Sequence, residues 1–244
     1  MSRMIGFDRR IHLEWLDAAA SAERESGEIN EIRQFLHGFL EPEIPTYAAR
    51  SKTVVVLTKI WSRVPEEHAD IRDRALDLLQ VSNTQDRIWL HWGMALLAYP
   101  FFRDVVTAIS RSLLYYDCFT KAEIVKKIKE DWGERTTLKR ATERIVSSIF
   151  EWGVIVKDKE TGKYNLPLHL TTENKQIEIW LLEAALLASQ KQCIPLDQAF
   201  SIPEVFPFKF SLSIPEIVAS DKFEMSQMGN NRAKISVIPT SGVR

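Results

Sequence analysis

The segment from Phe119 to Trp132 constrains the fold more than any other part of the chain, because it contains an explicit helix start. Thr120 is followed three residues later by Glu123. This spacing is typical of a capping box, in which the two side chains satisfy backbone N–H groups at the start of a helix. The residues that follow predict one buried helical face, formed by Ile124, Val125, Ile128 and Trp132.

A second helix is predicted after a short turn at Gly133-Glu134-Arg135. We expect Thr136 and Thr137 to cap it. Gly153 is suited to end it, since glycine readily adopts the left-handed conformation found after helices. Its apolar stripe consists of Leu138, Ala141, Ile145, Ile149 and Trp152. We expect Trp152 to be buried where this helix packs against the next element.

That next element is predicted to be a hairpin, with a β-branched strand at 154–156, a turn at 158–162 and a return strand at 163–166. Two helices, a tight turn and a hairpin, in this order over 119–166, resemble the winged helix-turn-helix superfamily. The phrase Phe150-Glu151-Trp152-Gly153-Val154-Ile155, followed by a lysine-rich hairpin, resembles the exit of its recognition helix and its wing. The resemblance implies that double-stranded DNA is the partner.

The candidate DNA-binding residues lie on the outward stripe of the second helix and on the hairpin. They are Thr136, Thr137, Lys139, Arg140, Glu143, Arg144, Ser147, Lys157, Lys159 and Lys163. The formal net charge of the chain is −1, so a DNA site has to be a local patch. Residues 120–165 hold eleven basic and eight acidic residues, whereas residues 1–50 hold six and nine. This excess is modest for a DNA-binding face. The alternative is a scaffold or adaptor whose winged helix docks a partner protein.

The remainder of the chain predicts a mainly α protein. With 45% hydrophobic and 27% charged residues, the composition is that of a globular protein with a substantial core. We expect a helical N-terminal domain over 1–116, in which the tryptophans are core residues, and a winged helix over 117–170. A third segment, 171–244, is expected to contain a C-terminal helix and a small β element.

Within that third segment, 176–190 shows helical periodicity, with Ile177, Trp180 and Leu181 on one stripe. The alternating segment 206–212 is typical of an edge strand. Residues 223–225 and 235–237 flank Gly229-Asn230-Asn231, a sequence that favours a hairpin turn.

Catalytic signatures are missing from the sequence. It has no phosphate-binding loop, no G-x-G-x-x-G, no H-E-x-x-H and no nucleophile elbow. The five histidines and two cysteines show no metal-ligand spacing. We therefore predict a non-catalytic protein without a cofactor or a metal.

The expected location is the cytoplasm. The start of the chain, 1–10, is charged and has no apolar region typical of a secretory signal after it. The most apolar run, Trp89 to Phe102, is shorter than the roughly 20 residues that a membrane-spanning helix needs.

Two stretches carry a second resemblance. Arg87 to Val105 and the helix from Leu138 to Val154 are similar to the small helical accessory proteins of BREX phage-defence systems. The similarity covers about the middle third of the chain, and Leu196 to Arg244 departs from it. It implies a non-catalytic, DNA-associating accessory subunit that works with other subunits of a defence complex.

Overall fold

The protein is mainly helical and carries small antiparallel sheets, as seen in a computed structural model that describes residues 5–189, 191, 193–227 and 233–238. The α-helices in these ranges are α1 (Leu13–Ser26), α2 (Ile29–Phe39), α3 (Tyr47–Trp61), α4 (Ala69–Val81), α5 (Arg87–Ala98), α6 (Pro100–Tyr116), α7 (Lys121–Trp132), α8 (Thr136–Glu151), α9 (Lys175–Ser189) and α10 (Ile214–Ala219). The strands are β1 (Val156–Lys157), β2 (Tyr164–Asn165), β3 (Ile194–Pro195), β4 (Phe223–Gln227) and β5 (Ala233–Val237). Single 3-10 turns occur at Glu66–His68, Leu196–Gln198 and Pro203–Val205.

Helices α5 and α9 form the centre of the structure. Every residue of α5 from Ile88 to Leu96 is buried, and α9 is buried along most of its length. A helix that is apolar on all sides has to be covered on all sides. Helices α3, α4, α6 and α9 all pack against α5.

Gly93 lets α5 and α9 approach closely. An added Cβ atom at this position would lie 2.4 Å from Cζ3 of Trp180 and 3.2 Å from the Cβ of Ala184. The indole of Trp180 therefore fills the space that any other residue at position 93 would need. Its Nε1–H donates a 2.8 Å hydrogen bond to the Ile71 carbonyl, so the ring is also held from α4.

Aromatic rings connect the C-terminal segment to the same centre. Trp89 lies 4.4 Å from Phe208 and 5.6 Å from Phe210 between ring centroids. Trp92 donates a hydrogen bond from Nε1 to the Glu204 carbonyl at 3.0 Å. The prediction that the tryptophans of 1–116 are core residues is confirmed, because Trp15, Trp61, Trp89 and Trp92 are all buried.

The alternating segment 206–212 is not a strand, which corrects the sequence-based prediction. Phe206 and Phe208 are buried against α5, but the segment makes only an isolated parallel bridge between Phe208 and Leu170. Pro207 has no N–H to donate to a ladder. The N–H of Ser211 donates to the carboxylate of Glu178 at 2.9 Å instead. The alternating apolar residues of 206–212 therefore indicate that one face of the segment is buried, but not that the segment pairs in a sheet.

The small sheets are antiparallel. Strands β1 and β2 pair through Val156 with Asn165 and Lys157 with Tyr164. The other sheet has the order β3-β5-β4, and Ile235 of β5 pairs with Ile194 and with Met225. The predicted strands around 223–225 and 235–237 are confirmed, while the turn predicted at 229–231 lies outside the described residues. In the described ranges, no helix combines the length and the apolar character that a membrane crossing requires.

We predict that Gly93→Ala destabilises the protein, since the new methyl group collides with the Trp180 ring. Overpacking of this kind typically costs about 1–3 kcal/mol. Urea unfolding measures it as a lower midpoint. Gly38→Ala in α2 is the matched control, because nothing lies within 4 Å of its added Cβ, and it should be neutral or stabilising. Equal midpoints for Gly93→Ala and wild type would contradict the close contact of α5 and α9.

Candidate nucleic-acid interface

Helix α7 begins with the capping box that the sequence predicts. The backbone N–H of Glu123 donates to Oγ1 of Thr120 at 3.2 Å, and the N–H of Thr120 donates to Oε2 of Glu123 at 2.7 Å. The predicted inward residues Ile124, Val125, Ile128 and Trp132 are all buried. The predicted capping box is therefore confirmed, and it fixes the residue at which α7 starts. The turn at Gly133 then determines where α8 follows.

The N-cap of helix α8 lies one residue before the predicted cap residues. Arg135 is the N-cap, and Thr136 and Thr137 are the first two helical residues. The threonines are therefore part of the exposed first turn and do not form the cap. The predicted stripe from Leu138 to Ile149 is buried.

The predicted DNA-binding residues of α8 all lie on its outward face, but they differ in exposure. Thr136, Thr137, Lys139 and Arg140 in the first turns are exposed. Glu143, Arg144 and Ser147 further along are half-buried. The N-terminal half of α8 is thus the part that a large ligand can reach without rearrangement.

Lys121 of α7 connects the half-buried residues to the hairpin. Its Nζ donates to Oγ of Ser147 at 2.8 Å, and this hydroxyl donates to the Glu143 carbonyl at 2.8 Å. Lys121 Nζ and Lys157 Nζ lie 5.7 and 5.8 Å from the ring centroid of Tyr164. The Ser147 hydroxyl is therefore already engaged within the protein.

Burial lowers the pKa of the Lys121 ammonium group. The acidic Glu143 raises this pKa, while the positive charges of Lys157, Arg144 and Arg10 lower it further. Lys121 and Lys157 share the Tyr164 ring, and together with Arg144 and Arg10 they form a local group of basic side chains, the Lys121–Lys157 cluster. Such a cluster favours an anion, because an added negative charge relieves the mutual repulsion.

Two members of this cluster, Lys121 and Arg10, were not among the predicted site residues. Lys121 lies on the other helix of the segment, α7, and Arg10 lies more than a hundred residues before it. Arg10 also forms a 3.3 Å ion pair with Glu151 at the end of α8. Only the tertiary structure brings this arginine to the site.

The hairpin is held by hydrogen bonds at its turn. Oδ1 of Asp158 accepts from the N–H of Thr161 at 2.6 Å, from its hydroxyl at 2.7 Å and from the N–H of Glu160 at 3.1 Å. The bonds from Thr161 hold the pKa of Asp158 below its usual value. Gly162 follows with a φ of 69°, in the left-handed region that glycine tolerates. A defined turn therefore presents Lys157, Lys159 and Lys163.

The hairpin is extended by Phe119, the residue just before α7. The N–H of Phe119 donates to the Tyr164 carbonyl at 2.9 Å, and the Tyr164 N–H donates back to Phe119 at 2.8 Å. The two rings stack with centroids 5.6 Å apart. This pairing ties the start of α7 to the strand that leaves the hairpin.

The structure does not bring the three hairpin lysines together. Lys157 lies over Tyr164, whereas Lys163 is the residue just before β2 begins at Tyr164. Lys163 lines a cavity of about 470 Å³ together with Tyr116, Lys126 and Lys127. Lys159 lies in the exposed turn.

The C-terminal half of α8 holds the N-terminal segment. Oγ of Ser148 accepts from the Ile11 N–H at 2.8 Å, and Nε1 of Trp152 donates to the Ile11 carbonyl at 2.8 Å. Trp152 is buried as predicted, but its ring contacts Trp92 and Phe102, with centroids 6.2 and 6.0 Å away. The expected packing of Trp152 against the hairpin is thus corrected: Phe150 contacts Tyr164 instead.

Comparison with known proteins identifies no relative. No protein-family model matches the chain, and no curated protein or solved structure matches it significantly. Within the described ranges, no group of three or more His, Cys, Asp or Glu side chains could hold a metal ion. Function therefore has to be inferred from the geometry of the interface.

We predict that Trp152→Ala lowers the free energy of unfolding by about 3–5 kcal/mol, as is typical for a large aromatic side chain removed from a core. Trp152→Phe keeps most of the ring packing but loses the bond to Ile11, so it should cost less. Thermal unfolding followed by circular dichroism compares the two. A Trp152→Ala variant that melts with wild type would show that the residue does not anchor α8.

Proposed function

We propose that the chain is a non-catalytic, DNA-binding accessory or regulatory protein that contacts duplex DNA through a winged helix formed by residues 119–166. The observation that carries this proposal is the exposed, basic N-terminal half of α8, with the Lys121–Lys157 cluster further along the same helix at Ser147. In a helix-turn-helix, residues at the N-terminal end of the second helix contact base edges in the major groove. Thr136, Lys139 and Arg140 occupy that position in α8.

The order of elements supports the same proposal. Helix α7, the turn at Gly133, helix α8 and the β1–β2 hairpin follow one another in the order of the winged helix-turn-helix. Phe119 adds a third extended piece of chain beside the two strands of the hairpin, through its isolated bridge to Tyr164. In this assignment α8 is the recognition helix and the hairpin is the wing.

In this proposal, the basic residues of the hairpin and those of α8 make two different kinds of contact with DNA. Lys157 and Lys159 on the hairpin would bind backbone phosphates, which position a protein without reading sequence. Lys139 and Arg140 would enter the groove, where such side chains can bind guanine. Lys163 is left out of this duplex surface because it lines the cavity beside α7.

The resemblance to phage-defence accessory proteins narrows the proposal to a subunit of a bacterial defence complex in the cytoplasm. The shared features are the aromatic stretch around α5 and the α8 helix with its exit. Both lie at contacts between elements: Trp92 of α5 packs against Trp152 at the end of α8. Such a subunit would bring DNA to catalytic partners.

Protein docking is the second candidate function. Phe150 and Val156 are each 40% exposed at the junction of α8 and the hairpin. Exposed apolar side chains of this kind are typical of protein contacts when they are contiguous. In this alternative, the same winged helix would bind a partner protein in a larger assembly.

We predict that replacing Lys139, Arg140 and Arg144 together by Ala weakens duplex binding and leaves the fold intact, since none of these side chains is in the core. Fluorescence anisotropy with a labelled duplex measures the affinity. The matched control replaces Lys52, Arg63 and Lys209, which are exposed and outside the interface, and so removes the same charge. Equal duplex affinity in the two triple variants would contradict the role of α8.

The salt dependence gives a separate prediction. Three to five phosphate contacts would give a slope of log affinity against log salt of roughly −3 to −4.5, because each contact contributes about −0.9. Replacing Lys157 and Lys159 by Ala should flatten this slope by about 1 to 2 without changing sequence preference. Anisotropy titrations at several salt concentrations measure both quantities.

The docking alternative predicts a different pair of results. The protein would show no duplex binding near physiological salt, and it would co-purify with a partner that survives nuclease treatment. A flat salt profile together with such a partner would exclude the DNA-binding proposal.

A further inference from the structure

The C-terminal end of α6 exposes a run of large side chains that the duplex surface does not use. Leu114, Tyr115 and Tyr116 are 77%, 74% and 70% exposed. Contiguous exposed apolar groups in a folded protein indicate an interaction site. Tyr115 and Tyr116 lie next to each other, with ring centroids 6.4 Å apart.

A basic cavity adjoins these rings. Tyr116, Lys126, Lys127 and Lys163 line about 470 Å³ of space, in the size range of small-ligand sites. Lys127 Nζ lies 6.0 Å from the Tyr116 ring centroid and is held by a 2.8 Å hydrogen bond to Ser112. Two acidic residues also line the cavity, and one of them, Glu123, is engaged in the capping box of α7.

We propose that this cavity and the neighbouring tyrosines bind a single-stranded nucleic acid segment. Aromatic rings next to cations are the chemistry of single-strand binding, where bases stack on the rings and lysines neutralise the phosphates. Bases within a duplex are stacked on one another, so only an unpaired base offers its face to Tyr116. Lys126, Lys127 and Lys163, which line the cavity, supply the cations.

This site does not depend on the proposed duplex surface. Lys163 lines the cavity, whereas Lys121 and Lys157 lie over the Tyr164 ring and do not line it. A protein with both surfaces could hold DNA where a duplex gives way to a single strand.

A titration of the full chain with fluorescently labelled oligothymidine at low salt tests the proposal. Tyr116→Ala should lower the affinity by roughly 5-fold to 150-fold, the loss that corresponds to one base stacked on an aromatic ring. Tyr116→Phe retains the ring and should stay within about twofold of wild type. Tyr47→Ala removes a similarly exposed ring from α3, 68% exposed, and should have no effect.

Two results would overturn the proposal. One is wild-type affinity for oligothymidine that equals that of Tyr116→Ala, including the case in which neither binds. The other is an equal loss in Tyr47→Ala. The variant lacking Lys139, Arg140 and Arg144 separates this proposal from the previous one, because it should lose duplex binding and keep oligothymidine binding.

Discussion

The close approach of α5 and α9 through Gly93 is the constraint on which the other contacts of the structure depend. Because α5 is buried along its length, it must be covered by helices on every side, and α9 supplies the nearest cover. Trp180 fills the gap above Gly93 and fixes α4 through Ile71. Trp92, one residue before Gly93, donates a hydrogen bond to the Glu204 carbonyl and so holds the C-terminal segment. One glycine therefore sets the distance that lets two tryptophans hold distant parts of the chain.

Buried charges add specificity to this packing. Glu183 of α9 is almost fully buried and accepts two hydrogen bonds from the guanidinium of Arg74, at 2.7 and 2.8 Å. A buried carboxylate without its partner is strongly destabilising, so the pair allows α4 and α9 little freedom to slide. Glu178, one turn earlier on α9, accepts both the N–H and the hydroxyl of Ser211. Glu178 therefore holds the irregular C-terminal segment at Ser211, where no strand ladder does so.

The sequence predicts well what is decided locally and poorly what is decided across the fold. Thr120 and Glu123 determine the start of α7 through bonds to each other's backbone, so their spacing in the sequence is sufficient to predict it. The burial of Trp152 also follows from helical periodicity, but its partner does not, because Ile11 lies 141 residues away. The place of Arg10 in the basic cluster could not be predicted either, because Arg10 is equally distant in sequence. Alternation in 206–212 records a buried face, whereas strand pairing needs a neighbouring backbone that only the tertiary structure supplies.

A surface that is ordered before it binds DNA loses less affinity than a flexible one, since ordering flexible groups on binding costs free energy. The candidate interface is ordered through contacts behind it. Ser148 and Trp152 hold α8 against the N-terminal segment, and Lys121 joins α7 to Ser147 on α8. The pairing of Phe119 with Tyr164 fixes the hairpin against the start of α7. The exposed lysines and arginines of α8 and β1 are thereby carried on elements whose relative positions are set by the core.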